Sequence, residues 1–577
     1  MKNALSQAGL FFVLTLAPVF FTTLTRDIFA IPKALVISIG IALIWLSRGV
    51  FHNVSFRGRV LTPHIVPLLA AAVMSALLSV DTPLSVLGPH QNQFHALLPM
   101  AVYVMTYYAA AHTDAKSDRI VLFALLGGAA VCIPAISQIE LNGLTFMRWT
   151  IQGGRAGSTF GSPIYLGSYM ALLLPIAWER LTRDEDRESP VRYSALYASL
   201  FVLIAISLLA SRSRGSLAAG AAGVILVDLL RGKFRRAAIL VGVAGVALFA
   251  IFQARGNGDR ADSGRIEVWR AAIQAFKLHP IFGWGPDTFS LAFQRFMSVK
   301  FILAEGNDQS THLSAHNSFL QALVTMGVVG LLAYCYFLAG VARSLIRSLG
   351  GDPEAVGIAG GIFALFLNAS FNPIPMAVLA VAACLLGSLD RWEYLETKLT
   401  PVDRLRTAGV TLAAFALVAV FVVIVKAERH QRRGEDLWQM GKPIEAAEAF
   451  NQAAIVNPFD LWYTQRQLDY FWKVIGKLPG TNKEILAAYS HNISENIARL
   501  HPAHPTAHEL RSISFEFEGD MIGRDRYWEA FNEMAVAERL APGFSAYRKR
   551  RECIARRVKS KSPQSCYDQG PQQAAKS

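Results

Sequence analysis

From Arg265 to Phe289 the chain reads RIEVWRAAIQAFKLHPIFGWGPDTF, and after a polar stretch it continues from Ala315 to Gly340 as AHNSFLQALVTMGVVGLLAYCYFLAG. The first segment places Ile266, Trp269, Ile273 and Phe276 on one helical face, the pattern of a helix lying on a membrane surface. Pro280 ends that helix, and Gly283 and Gly285 permit a close turn. The second segment is an apolar run longer than the roughly 20 residues a bilayer span needs. A surface helix, a glycine turn and a membrane helix in succession predict a loop folded back onto one face of a membrane protein.

The remainder of the chain agrees with that frame. Its 577 residues are 53% hydrophobic with a mean hydropathy of +0.33, too apolar for a soluble globule. About thirteen segments have the length and apolarity of spans: 8–24, 28–46, 60–80, 94–112, 118–138, 163–179, 193–211, 214–230, 236–252, 316–342, 355–371, 374–390 and 407–426. The first follows a short basic start but no small-x-small cleavage site, so it reads as a membrane helix and not as a removed signal. The expected fold is therefore an all-α polytopic membrane body over residues 1–427, with a large loop at about 253–315 and a soluble domain over 428–577.

The net charge of +14 is accounted for by topology. Alternate loops such as RGVFHNVSFRGR, TDAKSDR and RGKFRR are rich in Lys and Arg, which are retained on the cytoplasmic side. That places the N-terminus inside and the 253–315 loop outside, argues against a nucleic-acid partner, and with an odd number of spans puts the C-terminal domain outside as well. The basic run KAERHQRR after the last span pulls weakly the other way.

Beyond about Ala427 the composition turns charged and amphipathic. Ala446, Phe450, Ala453 and Pro458, with Gly434 before them, have the small-large-small-Pro spacing of a tetratricopeptide repeat, and Ala530, Met534, Ala537 and Pro542 repeat it. The competing reading is a generic domain of helical hairpins. Cys132, Cys335 and Cys384 lie in apolar runs and read as packing residues. Cys553 and Cys566, in the polar tail, are either a disulfide in an oxidising compartment or two thiols in a frayed end.

Residues able to carry chemistry gather on the outer side. They are Arg155 in GGRAGSTFGSP, Arg212 and Arg214 in the turn ASRSRGS, Arg265 and Arg270 in the large loop, and His316 at the start of the tenth span. Arginines in a tight outer turn oppose the positive-inside bias, and a guanidinium fork suits phosphate oxygens. A single outer arginine otherwise snorkels to lipid headgroups, and a lone interfacial histidine is usually structural; it is the set that points to an anion site. His316 beside arginines stays neutral near pH 7 and can accept a proton.

Two decoys stand beside these. Asp184-Glu185-Asp186 resembles a Mg²⁺-binding carboxylate run but belongs to a cytoplasmic loop, and His279 before Pro280 suits a helix end. The sequence has no Cys/His metal spacing and no phosphate-binding glycine loop, so neither a metal nor a cofactor is expected. A lipid-linked-sugar transporter is the competing class, yet ionisable residues within the spans are nearly absent, Lys33 being the main exception.

The order of the Arg155 loop, the SRG turn, an R-x3-W helix with HPIFGWG, and then HNSFLQ before a glycine-containing apolar helix resembles the bacterial O-antigen ligase and polymerase superfamily. That group includes protein O-oligosaccharyltransferases. The resemblance covers about residues 8–391. It implies a glycosyltransferase of the inner membrane that moves a glycan, without metal and with inversion, from an undecaprenyl-pyrophosphate donor to an acceptor hydroxyl at the periplasmic face. By the same resemblance Arg214 and Arg265 hold the donor pyrophosphate, Arg155 assists, and His316 activates the acceptor. Ser-Pro-Ile at 162–164 departs from the family's usual Asn-Pro-Asn, which weakens the carry-over at Arg155. An O-antigen ligase acting on lipid A-core is the leading reading; a growing lipid-linked polymer and a protein hydroxyl are the alternative acceptors.

Overall fold

A computed structural model describes residues 2–51, 61–89, 95–139, 151–185, 191–254, 260–305, 312–390, 401–475, 483–560 and 566. Each of the thirteen apolar segments falls on a helix. Four helices, Ala30–Arg48, Ser117–Ser137, Ser318–Ser348 and Leu405–Gln439, are long and apolar enough by themselves to cross a membrane. Shorter apolar helices, among them Thr62–Leu77, Leu97–Ala111, Ala355–Ala369 and Met376–Leu389, accompany them. The protein is an all-helical, multi-pass membrane protein. Among the described residues the one departure from helix and turn is an isolated antiparallel bridge between Gln152 and Arg155.

The core of the bundle is built on Leu10, Leu14, Trp45, Tyr169 and Phe421, all fully buried. Lys33, the charge expected within a span, is used to close a helix end: its Nζ donates to the carbonyls of Pro18 at 2.9 Å and Phe20 at 2.5 Å and lies over the Phe160 ring. Terminal helix carbonyls lack an intrahelical partner, so a buried ammonium satisfies them. Cys132 and Cys384 are buried as expected, whereas Cys335 is exposed on its helix.

The long helix Ser318–Ser348 is broken at Gly327, whose φ of 67° and ψ of −166° belong to no helix. The HPIFGWG turn fills the break. Trp284 N donates to Val324 O at 3.0 Å, Gly285 N to Thr325 O at 2.8 Å and Val328 N to Pro280 O at 2.9 Å. A Cβ at Gly327 would sit 2.2 Å from the Ile281 carbonyl oxygen, and one at Gly285 would sit 2.0 Å from Ser79 Oγ, so neither position accepts another residue. The break therefore satisfies its freed backbone groups with a loop, as irregular backbone must where it meets a membrane.

Pro401–Gln439 runs as one continuous helix through the predicted boundary at 427/428 into the polar tail. There Ala446, Phe450 and Ala453 are fully buried, and a Cβ at Gly434 would meet the Phe450 ring at 2.6 Å, so the small residues mark where two helices approach closely. Ala530, Met534 and Ala537 are buried in the same manner between the helices Pro505–Ile522 and Tyr527–Leu540. A disulfide joins Cys553 to Cys566, which decides between the two readings of that pair.

The tail packs on the same end of the bundle as the large loop. Buried His501 Nδ1 lies 2.8 Å from buried Asp81, Arg26 Nε lies 2.8 Å from Glu435, and Phe544 packs with the loop residues Phe289 and Phe293. At the opposite end of the helices Pro163–Glu185 and Arg214–Leu230, Arg183 bridges Glu179 and Glu354, each at 2.9 Å, and Arg231 binds Glu179 at 2.5 Å. Asp186 and the side chains of Asp184 and Glu185 lie outside the described residues.

Candidate active site

The loop helix Arg260–Leu278 packs by a face other than the one its large residues suggest. Val268, Ala271, Ala272 and Ala275 are buried against Phe293 and Phe301, whereas Ile266 and Ile273 are about half exposed. Alanines allow the helix to approach the aromatic core of the loop, which leaves the isoleucine edge outward. Trp269 lies between the two faces. Its Nε1 donates to Ala315 O at 3.0 Å and so pins the 312–317 turn beneath the helix start that carries Arg265.

In that turn His316 adopts φ 52°, a left-handed conformation that is strained for any residue with a Cβ. Asn317 caps the membrane helix, its Oδ1 accepting from Leu320 N at 3.0 Å, and Gln321 Oε1 accepts from Ala315 N at 2.8 Å. The turn is held from both sides, which is how the strain is sustained. His316 Nε2 faces His312 Nδ1 at 3.3 Å, and His316 Nδ1 is buried with no hydrogen-bond partner among the described residues. Burial pushes His316 down to about 4, and His312 and Arg265 add to the shift. Burial also lowers His312, with Arg265 contributing. Both imidazoles are thus neutral at pH 7, and Arg265 is near enough to act on each.

The Arg155 loop lies on the turn that precedes the helix Arg214–Leu230. Ala156 N donates to Ala210 O at 3.1 Å and Arg155 Nε to Ser211 O at 3.0 Å. Arg212 also takes a left-handed φ, of 46°. Arg155, Arg212 and Arg214 are therefore neighbours along one short turn.

A ladder of neutral groups joins this turn to the His316 side. Ser213 Oγ pairs with Ser216 Oγ at 2.9 Å, Ser216 Oγ donates to Asn368 Oδ1 at 3.1 Å, and Asn368 Nδ2 donates to Ser168 Oγ at 2.7 Å. Asn372 Nδ2 donates to Asn368 Oδ1 at 2.8 Å, and Asn317 Nδ2 reaches Ser370 O at 3.5 Å. The segment 368–374, in which the sequence shows only the turn NPIP, thereby becomes the divider between the two arginine-bearing loops. Asn317, Asn372 and Ser314 line a small polar neck. Below it, between the helices Thr62–Leu77, Leu97–Ala111, Ser318–Ser348, Ala355–Ala369 and Met376–Leu389, opens an apolar cavity of about 230 Å³.

The other sequence candidates lie elsewhere. The Arg270 side chain is 61% exposed and is paired with Glu267, whose second oxygen accepts from Ser298 Oγ at 2.7 Å. His279 packs edge-on against Trp284 at 4.9 Å and its carbonyl accepts from Gly283 N, so it finishes the loop helix. Sequence reasoning missed His312, Asn368 and Asn372. For His312 a signal was present, a second histidine four residues before His316 in HLSAHN; for Asn368 none was, because its partners Ser216 and Ser168 lie 152 and 200 residues away, and Asn372 joins the ladder only through Asn368.

Arginines on two loops, a neutral histidine pair and an apolar cavity thus lie at or near one end of the bundle. Residues 199–335, which contain the SRSRG turn, Arg265, HPIFGWG and His316, match the family described as O-antigen ligase. Residues 199–335 therefore carry a domain similar to the O-antigen ligase family. No curated protein matches the chain. That family implies glycosyltransferase-type activity of the ligase and polymerase kind, with lipid-linked glycans and their acceptors as partners in general. The matched segment ends before Asn368 and Asn372, so the O-antigen ligase domain completes its neck with residues from outside the segment.

Proposed function

We propose that this protein transfers a glycan from undecaprenyl pyrophosphate to an acceptor hydroxyl at the periplasmic face of the inner membrane, as an O-antigen ligase with lipid A-core as acceptor. The observation that carries this reading is the meeting of Arg265 with the His312–His316 pair beside the neck of an apolar cavity. In this reading Arg214 and Arg265 balance the charge of the pyrophosphate, Arg155 supports the SRSRG turn, and the apolar cavity receives isoprenoid hydrocarbon. His316 takes the proton of the acceptor hydroxyl as its oxygen attacks the anomeric carbon. The bond to the pyrophosphate oxygen breaks, undecaprenyl pyrophosphate leaves, and the anomeric centre inverts. Fixed guanidinium charges stabilise the leaving group without a metal ion.

Residues 1–427 serve as the catalytic body and 428–577 as a tetratricopeptide-like module that presents the acceptor from the same side as the loop. Its packing against Asp81 and Phe293 favours that role over a tether to a distant partner. The transporter reading loses its main support with Lys33, whose ammonium is engaged by helix-end carbonyls.

The test is purified protein in lipid vesicles, supplied with an undecaprenyl-pyrophosphate glycan and, separately, with lipid A-core, a second lipid-linked glycan or a Ser/Thr peptide. Glycan on lipid A-core supports the ligase; lengthening of the lipid-linked chain alone marks a polymerase; a glycosylated peptide marks a protein transferase. No transfer to any of the three with chelator-resistant flipping of the donor would refute the enzyme reading.

A further inference from the structure

His312 is the chemical group at the site to which the proposed reaction gives no task. Its ring stands nearly perpendicular to that of His316, at 74°, with the centroids 5.3 Å apart. Phe293 and Phe301 hold it edge-on at 5.4 and 5.3 Å, and these aromatic rings leave it little rotational freedom. The pair shares one N···N contact, from His312 Nδ1 to His316 Nε2, and the far nitrogen of His316 is buried without a partner among the described residues. The charged group acting on both rings is Arg265 on the loop helix, while the neighbours from the helices Phe289–Phe296 and Val299–Glu305 are apolar.

One proton occupies such a contact between two neutral imidazoles. If His312 donated it, His316 would carry its own proton on Nδ1, the nitrogen left for the acceptor, and could take no other. If His316 donates it, Nδ1 is a lone pair. When Nδ1 then gains the acceptor's proton, the imidazolium formed keeps a charge-assisted bond to a neutral acceptor. The same division of labour between a base and an orienting group recurs in nucleophile–base–orienter arrangements.

We propose that His312 is a positioning residue that holds the proton of His316 on Nε2 and so reserves Nδ1 as the base. This rests on the reading of His316 as the base in glycan transfer. His312 accepts a hydrogen bond and gives up no proton itself, so atoms and charge balance within the His316 step alone.

The experiment compares His312→Phe, which keeps an aromatic ring between Phe293 and Phe301, with His312→Gln, whose side-chain oxygen restores an acceptor. Both are assayed beside His316→Ala in vesicles with undecaprenyl-pyrophosphate glycan and acceptor, reading kcat, donor KM, the pH profile and the thermal midpoint. The expected result for His312→Phe is a fall in kcat of about 100-fold, a donor KM within about twofold, and a displaced acid limb of the profile. His312→Gln is expected to recover at least about tenfold of that loss. A wild-type kcat and profile for His312→Phe, with His316→Ala inactive, overturns the positioning role alone. Equal losses in both variants with an unmoved profile or a lowered midpoint assign His312 to packing and also overturn it. An active His316→Ala instead removes the reading on which the proposal stands.

Discussion

The helix Arg214–Leu230 spans about 25 Å at 1.5 Å per residue, and its two ends keep arginines in different company. At one end Arg231 binds Glu179 at 2.5 Å, Arg236 binds Asp228 at 2.6 Å, and Arg183 and Arg180 close on Glu354 at 2.9 and 2.8 Å. At the other end the turn before Arg214 meets a serine and asparagine ladder, Arg155 rests on a carbonyl, and Arg265 acts on two neutral histidines. Guanidiniums matched to carboxylates within the fold are already neutralised and serve to tie helices together. The guanidiniums at the other end stand beside serine, asparagine and imidazole groups, and these are the ones to which the proposed function gives the pyrophosphate. Two similar arginine counts in the sequence therefore do different work, and their surroundings decide which.

If that contrast holds, substitution at the two ends should fail in different ways. The largest effect is expected from His316→Ala. Loss of a general base lowers transfer by about 10² to 10⁴-fold, with unchanged membrane insertion, as measured by product formation in vesicles. Arg214→Ala and Arg265→Ala should follow, each losing about 10²-fold or more as a fixed charge at the leaving group is removed. Lysine at either position should recover only part, since an ammonium lacks the planar fork. Arg155→Ala should cost less, about tenfold, because its Nε is already committed to Ser211 O.

Glu354→Gln tests the other end. Removing one partner of a buried ion pair costs about 3 kcal/mol or more, so the thermal midpoint should fall while transfer per folded molecule is kept. A large loss of kcat at constant stability in Glu354→Gln would break the comparison. The smallest effect concerns the docked tail. Burial lowers His504 to about 4, so its neutral form is the one the fold favours, and the stability it contributes is complete above the ordinary histidine pKa and is lost as pH falls towards 4. Hydrogen-exchange protection factors across 501–508, corrected for the intrinsic rate, should therefore fall between pH 6.5 and pH 4, and His504→Ala should flatten that slope.

Much of this architecture was legible in the sequence. Span-length apolar runs can satisfy their backbone in a membrane only as helices, so all thirteen segments are helical. Small residues at Ala446, Ala453, Ala530 and Ala537 mark close helix approaches for a similarly local reason. The loop helix was legible in type, whereas its second face was not, because Ile266 and Ile273 advertise the apolar side that stays outward while the alanines beside them pack on the aromatic core of the loop. Arg270 was indistinguishable from Arg265 by composition, and only the structure shows it outward and paired with Glu267.

What the sequence by itself determined is whatever depends on neighbours within a few turns: helical type, membrane residence, and a histidine at a helix start next to its Asn cap. What only the tertiary structure decided is company. The His312–His316 contact needs a turn that bends back under Trp269, the neck needs Asn372 brought to Asn317 from another helix pair, and the tail is docked on the membrane body through His501 and Asp81, 420 residues apart. Such contacts depend on where whole helices pack, a property of the assembled bundle that no short window of sequence contains.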